Sequence, residues 1–278
     1  MTGIVIVSYR SDEETIRFVT QELSKVRTEH RTVVVANGAS REEAEALAGR
    51  LPGVTVLPAE NGGYAKGNNI GARWLKEHLD PEYILFTNND IILNGPGVVE
   101  TLLEAAASHP EAGAVGPEVV GTDGIRQSPE PYMGLWKRYV WMYFCTPFLS
   151  RARKRELFRL NYPEKAGEGE HYKLSGSFFL VKADAFFRAG AFDGNTFLYA
   201  EENILSERLG RIGRYCLFCP SVRVIHAHGE TVNRHFEARK RALLQYDSMA
   251  YYYRAYKGYS RLETAIVRLL FQIILLVK

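Results

Sequence analysis

Three polar clusters in this chain carry side chains able to hold or move charge. Asn88-Asn89-Asp90 stands between two short apolar runs, residues 84–86 and 91–93. A carboxylate with flanking amides offers the oxygen ligands that a hard divalent cation accepts beside water and substrate phosphates. The same residue types favour turns, and taken alone these three favour the turn reading. Glu201-Glu202 opens a helical stretch over residues 203–211. The helix dipole accounts for two carboxylates there; a general base at the mouth of a cleft is the chemical alternative. His226-Ala227-His228-Gly229 ends a strand-like run, and two imidazoles beside glycine suit a metal or a phosphate as well as a structural role.

A fourth stretch, residues 60–71, is rich in Gly and Asn. Gly62 and Gly63 permit positive φ and close backbone approach. The helix that follows, through Ile70, Trp74, Leu75 and Leu79, points free N–H groups at any anion held by the loop. The pattern is neither the phosphate-binding P-loop nor the G-x-G-x-x-G dinucleotide fingerprint, and those cofactors lose support. A plain glycine turn remains the alternative.

The elements that must position these clusters alternate. Residues 3–9, 32–35 and 54–57 read as buried strands, and helical patterns over residues 12–26 and 41–50 separate them. Strand, helix, strand, helix, strand in under sixty residues implies a parallel sheet with right-handed crossovers. Residues 84–86 give a fourth strand and 112–115 a fifth. In such sheets ligands bind beyond the carboxyl ends of the strands, where Asn88-Asn89-Asp90 falls. Residues 122–169 break the pattern with four prolines, the aromatics Trp136, Tyr139, Trp141, Tyr143 and Phe144, and the basic cluster Arg151, Arg153, Lys154 and Arg155. Aromatics at that spacing suit the inner face of a helix, with an exposed acceptor-side surface as the alternative. Strand patterns return at 172–181, 215–218 and 222–226.

The chain has 278 residues, 46% apolar and 24% charged, the composition of a globular enzyme-sized domain. A net charge of +3 is too small to argue for nucleic acid, and no nucleic-acid partner is expected. Arg239, Lys240 and Arg241 form a second basic cluster that suits phosphates, an anionic surface or solvent. Cys216 and Cys219 lack a second ligand pair at zinc spacing, so core packing is expected. The N-terminus lacks the long apolar core of a signal peptide, and a cytoplasmic location follows as the expectation.

With these residues in place, the chain resembles the family 2 glycosyltransferases of GT-A fold, among them the bacterial rhamnosyltransferase-like enzymes of polysaccharide biosynthesis. The resemblance runs from Gly3 to about Thr231. It rests on the Ile-Val-Ser-Tyr first strand, the Asn61-x-Gly63-Tyr64-Ala65-x-Gly67-Asn68-Asn69 loop, and Asn88-Asn89-Asp90 as an Asp-x-Asp-type metal motif. Gly176, the Phe192-Asp193 to Glu202 segment and the strand ending at His226 complete it. The resemblance implies an α/β, GT-A type nucleotide-sugar-binding fold with a mostly parallel central sheet flanked by helices and a C-terminal helical appendage. It divides the chain into a glycosyltransferase domain, 1–232, with a nucleotide-sugar half (1–118) and an acceptor half (119–232), followed by a helical segment, 233–278. It also implies inverting transfer from a nucleotide-sugar donor to a glycan or lipid-linked acceptor. Glu202, with Glu201 beside it, takes the place of the catalytic base. Asp90 and His226 fall at the metal, Mg²⁺ or Mn²⁺. Ser8, Tyr9, Asn37, Asn61, Gly63, Tyr64, Lys66, Asn68, Asn69, Asn88, Asn89 and Gly176 fall around the donor.

Two positions depart from the family pattern. Ala36 stands where an Asp commonly reads the pyrimidine, which leaves the nucleotide open, and Glu202 stands where the base is commonly Asp. A nucleotidyltransferase of similar fold would want a lysine-rich nucleotide loop, and only Lys66 is available. A non-catalytic nucleotide-sugar-binding scaffold is the other alternative. At the C-terminus, Leu262, Ala265, Ile266, Leu269, Leu270, Ile273, Ile274 and Val277 recur at helical spacing. Arg254, Lys257 and Arg261 precede this helix among Tyr251, Tyr252, Tyr253, Tyr256 and Tyr259. Such a segment suits the cytoplasmic face of the inner membrane as a peripheral contact; packing on the core, or on a second copy as a homodimer, is the alternative.

Overall fold

The computed structural model describes residues 1–145, 149–150, 167–227 and 238–277. The basic cluster Arg151, Arg153, Lys154 and Arg155, and also His228, lie outside the described residues.

The apolar run at the N-terminus is a strand because both of its faces are covered. In β1 (Thr2–Ser8), Ile4 and Ile6 enter one core and Val5 enters the other. The same division recurs in β2 (His30–Asn37), β4 (Tyr83–Thr87) and β8 (Phe178–Lys182), where Phe178 and Leu180 face one core and Phe179 and Val181 the other. Strands buried on both sides read as unbroken apolar runs. With β3 (Thr55–Ala59), β5 (Ile91–Leu93), β6 (Ala112–Gly121), β7 (Gly169–His171) and β9 (Tyr215–His226) they form one sheet. Its order is β3-β2-β1-β4-β8-β6-β9-β5, with β7 also beside β9. β3, β2, β1 and β4 are parallel neighbours, as are β6 and β9, whereas β8, β5 and β7 run antiparallel to theirs.

Several boundaries differ from those read in the sequence. The runs 215–218 and 222–226 are a single strand, because β9 continues past Pro220 by shifting register against β6 between Pro117 and Glu118. The pattern at 172–181 becomes a strand only at Phe178, since Ser175-Gly176-Ser177 turns the chain first. The first helical stretch is α1 (Asp12–Arg17), which widens into a π turn (Phe18–Glu22) and then tightens into a 3-10 turn (Leu23–Lys25).

The helices cover the sheet. α2 (Arg41–Gly49) starts on a capping box in which Ser40 and Glu43 bond each other's backbone N–H. α3 (Tyr64–His78) lies close on β1: a Cβ at Gly71 would stand 2.6 Å from Val5 Cγ1. α4 (Val98–Ser108) buries Val98, Val99 and Leu102. Past β6, a π turn (Lys137–Trp141) runs into α5 (Met142–Cys145). α6 (Ala183–Arg188) follows β8, and α7 (Glu201–Arg211) precedes β9.

The last two helices, α8 (Ala238–Lys257) and α9 (Arg261–Val277), build a third core with Tyr139, Ala200 and Ile204. Of the five tyrosines that read as interfacial aromatics, Tyr252 and Tyr253 are fully buried in it beside Tyr246, and Tyr251, Tyr256 and Tyr259 pack against it partly buried. One buried carboxylate ties α8 to the segment before α7. Asp193 accepts from Tyr256 Oη (2.7 Å), Tyr251 Oη (2.9 Å) and Asn195, and pairs with Arg208 at 3.0 Å. Burial works against its charge, yet these donors hold the carboxyl below the ordinary carboxylate range. Asp193→Ala should therefore take the counter-ion from Arg208 and the acceptor from two phenol hydroxyls, and lower the unfolding free energy by ~3 kcal/mol, read as a shifted urea midpoint with an unchanged slope.

Candidate active site

The carboxyl ends of β1, β2 and β4 open onto a cavity of about 690 Å³, closed on the far side by the turn before β8, the start of α7, the end of β9 and α8. Of the residues singled out from the sequence, Tyr9, Asn37, Asn61, Gly63, Tyr64, Asn88, Asn89, Asp90, Gly176, Glu201, Glu202 and His226 stand on its wall.

Strand register brings Asp90 to His226. β5 pairs antiparallel with β9, Ile91 lies opposite His226, and Ala227 N–H donates to the Asp90 carbonyl at 2.9 Å. Asp90 Oδ1 then lies 3.2 Å from His226 Nε2, with both side chains largely buried. The other ring nitrogen, Nδ1, is 2.8 Å from Gln127 Oε1. An amide oxygen there can only accept, so Nδ1 carries a proton, and Nε2 faces the Asp90 carboxylate and Asn88 Nδ2, the latter at 3.3 Å. A ring nitrogen fixed in this way through its partner is the arrangement usual for a metal-ligating histidine. Adjacent ligands of an octahedral ion at ~2.1 Å are ~3.0 Å apart, close to the spacing found here. Among the described residues no group of three or more His, Cys, Asp or Glu could hold a metal. The donor set fits an ion held by one carboxylate and one imidazole, with its remaining positions left to phosphate and water.

Of the two amides beside Asp90, Asn88 meets His226 at the cavity and Asn89 works inward. Asn89 Nδ2 donates to Ser11 Oγ and Thr15 Oγ1, both at 2.8 Å, joining β4 to the first loop. Asn37 Nδ2 donates to Asn61 Oδ1 at 3.1 Å, and Gly62 N–H to Asn37 Oδ1 at 3.3 Å, so the ends of β2 and β3 share one polar wall. Four of the singled-out residues stand off the cavity. Ser8 is buried against Thr15, and Asn68 bonds the Tyr64 carbonyl within α3. Lys66 lies over Gly62 and Gly194. Asn69 clamps Phe192, receiving its N–H at 3.1 Å and donating to its carbonyl at 2.9 Å.

That clamp begins a tightly held segment. Tyr64 N–H donates to the Phe197 carbonyl at 2.8 Å, and a Cβ at Gly63 would stand 2.0 Å from the same oxygen. Gly63 also has φ +86°, so glycine is required there on both counts. Tyr199 and Ala200 both adopt left-handed backbone (φ 71° and 69°), a strain of ~1–3 kcal/mol each for residues bearing a Cβ. The corner they make aims Glu201 and Glu202 into the cavity.

The two carboxyls sit in unlike surroundings. Glu202 Oε1 is 3.2 Å from Lys173 Nζ, which also meets Glu130 Oε1 at 3.0 Å. Lys173 is itself buried, which works against its charge, but Glu130 and Glu202 more than offset this and hold the ammonium. Glu201 is buried and its Oε2 finds no donor. Burial, then the neighbouring Glu202, push the Glu201 carboxyl up to about 8. Near neutrality Glu201 is thus the protonated member of the pair.

Of the basic cluster read at 239–241, Arg241 reaches the cavity wall; sequence reading missed Lys173, Gln127, Arg138 and the α8 residues Gln245 and Met249, which stand there too. Lys173 left one signal, as the charged residue of the strand-like run 172–181; the others belong to no local pattern.

The comparisons with known proteins fall on this frame. The family model described as Glycosyl transferase family 2 matches residues 3–174. The chain is 31% identical over 253 residues to an N-acetylglucosaminyl-diphospho-decaprenol L-rhamnosyltransferase of Mycobacterium tuberculosis, covering 83% of this chain and 77% of that protein. Its fold is similar to the mannosyltransferase PcManGT from Pyrobaculum calidifontis in complex with GDP-Man and Mn²⁺ (TM-score 0.58, 11% identity, 99% of this chain and 74% of that one). It is also similar to S. aureus TarS 1-349 in complex with UDP-GlcNAc (TM-score 0.56, 13% identity, 90% and 64%), so the chain spans less than two thirds of that structure. The α/β architecture is the GT-A type.

Glu201 makes stability depend on pH in a defined direction. The folded chain keeps a proton that the unfolded chain, with an ordinary value of 4.5, releases. Stability present below about pH 4.5 is therefore lost as pH rises toward 8. Glu201→Gln, which cannot ionise, should unfold at a temperature at least ~2 °C above wild type at pH 8, and the gain should shrink toward pH 5 in calorimetric scans.

Proposed function

Because this chain belongs to glycosyl transferase family 2, we propose that it is an inverting glycosyltransferase that moves a sugar from a nucleotide-sugar donor to a hydroxyl of a glycan or lipid-linked acceptor in bacterial surface polysaccharide synthesis. The observation that carries this reading is a cavity holding a carboxylate–imidazole pair on the donor side and two carboxyls in unlike surroundings beyond it, Glu202 paired with Lys173 and Glu201 buried with an oxygen that finds no donor. The mycobacterial relative's name, with its lipid diphosphate and rhamnose, supports a lipid-linked acceptor and a deoxyhexose. The Mn²⁺ of the mannosyltransferase complex supports metal use.

In this reading residues 1–118 receive the nucleotide-sugar, 119–232 supply the acceptor side and the base, and 233–278 form a helical appendage. Tyr9, Asn37, Asn61, Gly63, Tyr64 and Asn88 face the donor, and Asn89 holds the loop behind them. Ser8, Lys66, Asn68 and Asn69 support that wall from outside the cavity, Asn69 through Phe192. Asp90 and His226 would hold Mg²⁺ or Mn²⁺, which when bound neutralises the charge growing on the departing diphosphate.

The Glu202 carboxylate takes the proton of the acceptor hydroxyl. The acceptor oxygen then bonds the anomeric carbon, and the bond from that carbon to the diphosphate breaks with its electron pair leaving on phosphate. Lys173 fixes one oxygen of Glu202 and leaves the carboxylate turned to the cavity. Glu201, protonated beside it, spares the site a second adjacent negative charge. Gly176 presents its carbonyl to Tyr64 Oη at 2.8 Å and so joins the two walls.

Two substitutions test the assignment. Asp90→Ala is expected to abolish the Mn²⁺-dependent part of nucleoside diphosphate binding in titration calorimetry; wild-type affinity in the variant would reduce Asp90 to a turn residue. Glu202→Gln should leave donor binding intact and lower transfer by ~10²–10⁴-fold, the usual contribution of a positioned base. Full turnover in Glu202→Gln with a loss in Glu201→Gln would move the role to Glu201.

A further inference from the structure

α9 is apolar on two opposite sides. Val267 and Phe271 are buried, the Phe271 ring meeting Tyr139 at 5.0 Å and Tyr246 at 5.7 Å between centroids. On the other side Leu262, Ile266, Leu269, Ile273 and Leu276 are 41 to 71% exposed. Trp141 and Phe144, each 62% exposed, stand on the neighbouring π turn and α5, whose Tyr139 is the contact to Phe271. Apolar side chains scattered singly over a surface need no explanation, but seven large ones on two packed helices mark an interaction face.

Charge identifies what meets it. Residues 238–278 contain eight Lys and Arg against two Asp and Glu, which leaves +6. The whole chain carries only +3, so the first 237 residues carry −3. Arg239, Lys240, Arg254 and Arg261 are exposed. The exposed stripe on α9 is spaced four, three, four, three, as a helix seam would be, but beside it Ala265, Leu270 and Gln272 carry no charge and Glu263 is engaged with Ser260 at the helix start, which leaves a partner helix little to pair with. A second copy would also set +6 against +6. An anionic bilayer answers both properties together, since it accepts apolar side chains at the level of the headgroups and attracts the cations carried by the same terminal helices. Among the described residues no helix is long and apolar enough to cross a membrane.

We propose that the outer side of α9, with Trp141 and Phe144, is a membrane-interface face that seats the chain in the plane of an anionic phospholipid bilayer. The helices bearing or backing this face also line the cavity, through Arg138 on the π turn and Arg241, Gln245 and Met249 on α8. The face rests on exposure and charge alone; the transferase reading enters neither.

Vesicle co-sedimentation of the full chain tests it without donor or acceptor. At low salt the protein is expected to pellet with phosphatidylcholine vesicles containing phosphatidylglycerol, and less with phosphatidylcholine alone. The exposed-site double variant Leu269→Glu, Ile273→Glu should lower the bound fraction at least tenfold with an unchanged thermal midpoint and unchanged donor binding. Brominated lipid should quench tryptophan fluorescence in wild type and do so far less in Trp141→Phe. The proposal is overturned if wild type stays in the supernatant, or if the double variant binds as wild type does. It is equally overturned if the chain is a dimer that the double variant splits while neither binds vesicles. Each of those outcomes leaves the donor-binding measurements, and with them the transferase reading, intact.

Discussion

The site depends on the pairing of a three-residue strand with the end of a twelve-residue one. β5 and the last turn of β9 are separated by more than 130 residues of chain, and their antiparallel register places Ile91 opposite His226. A register slip by one residue would turn every side chain of β5 to the other face and carry Asp90 away from the imidazole. Ile91 and Leu93 are buried and Ile92 is exposed, so the alternation along β5 resists that slip by burial alone. The hydrophobic core thus sets the spacing of two polar side chains, Asp90 and His226.

The far wall is held by a different kind of constraint. The segment from Phe192 to Ala200 is clamped at its start by Asn69, at Asp193 by α8 and at Phe197 by the backbone of the Gly63 loop. Three anchors over so short a stretch explain how two adjacent non-glycine residues persist in left-handed backbone just ahead of Glu201. Strain and an uncompensated buried carboxyl occur together here, which is the usual company of a chemical site rather than of a stabilising one.

Much of this was legible in the sequence, and the parts that were not share a cause. The doubly buried strands, the Gly-rich loop and the strand-end carboxylate announce themselves because each is encoded within about a dozen consecutive residues. Asp90 and His226 were each visible as polar strand-end residues, but only the family resemblance set them together; their contact is a property of register. Lys173 and Gln127 were invisible as site residues, because what makes them so is a partner 29 and 99 positions away. The tyrosines of α8 were misread as interfacial for the same reason. A phenol that reaches Asp193 and one that reaches a headgroup look alike until the chain is folded, whereas the outer stripe of α9 is helical in spacing and exposed in fact.

The uneven division of charge described for the last forty residues has a consequence that precedes any contact. With +6 on the terminal helices and −3 on the remainder, the molecule near an anionic surface feels a torque as well as a pull, because its two parts are driven in opposite senses. Within a Debye length, ~8 Å at physiological ionic strength, it turns helices-first before it touches. Encounters then begin in one orientation instead of sampling all of them, and added salt lengthens the search even where it leaves the seated state unchanged.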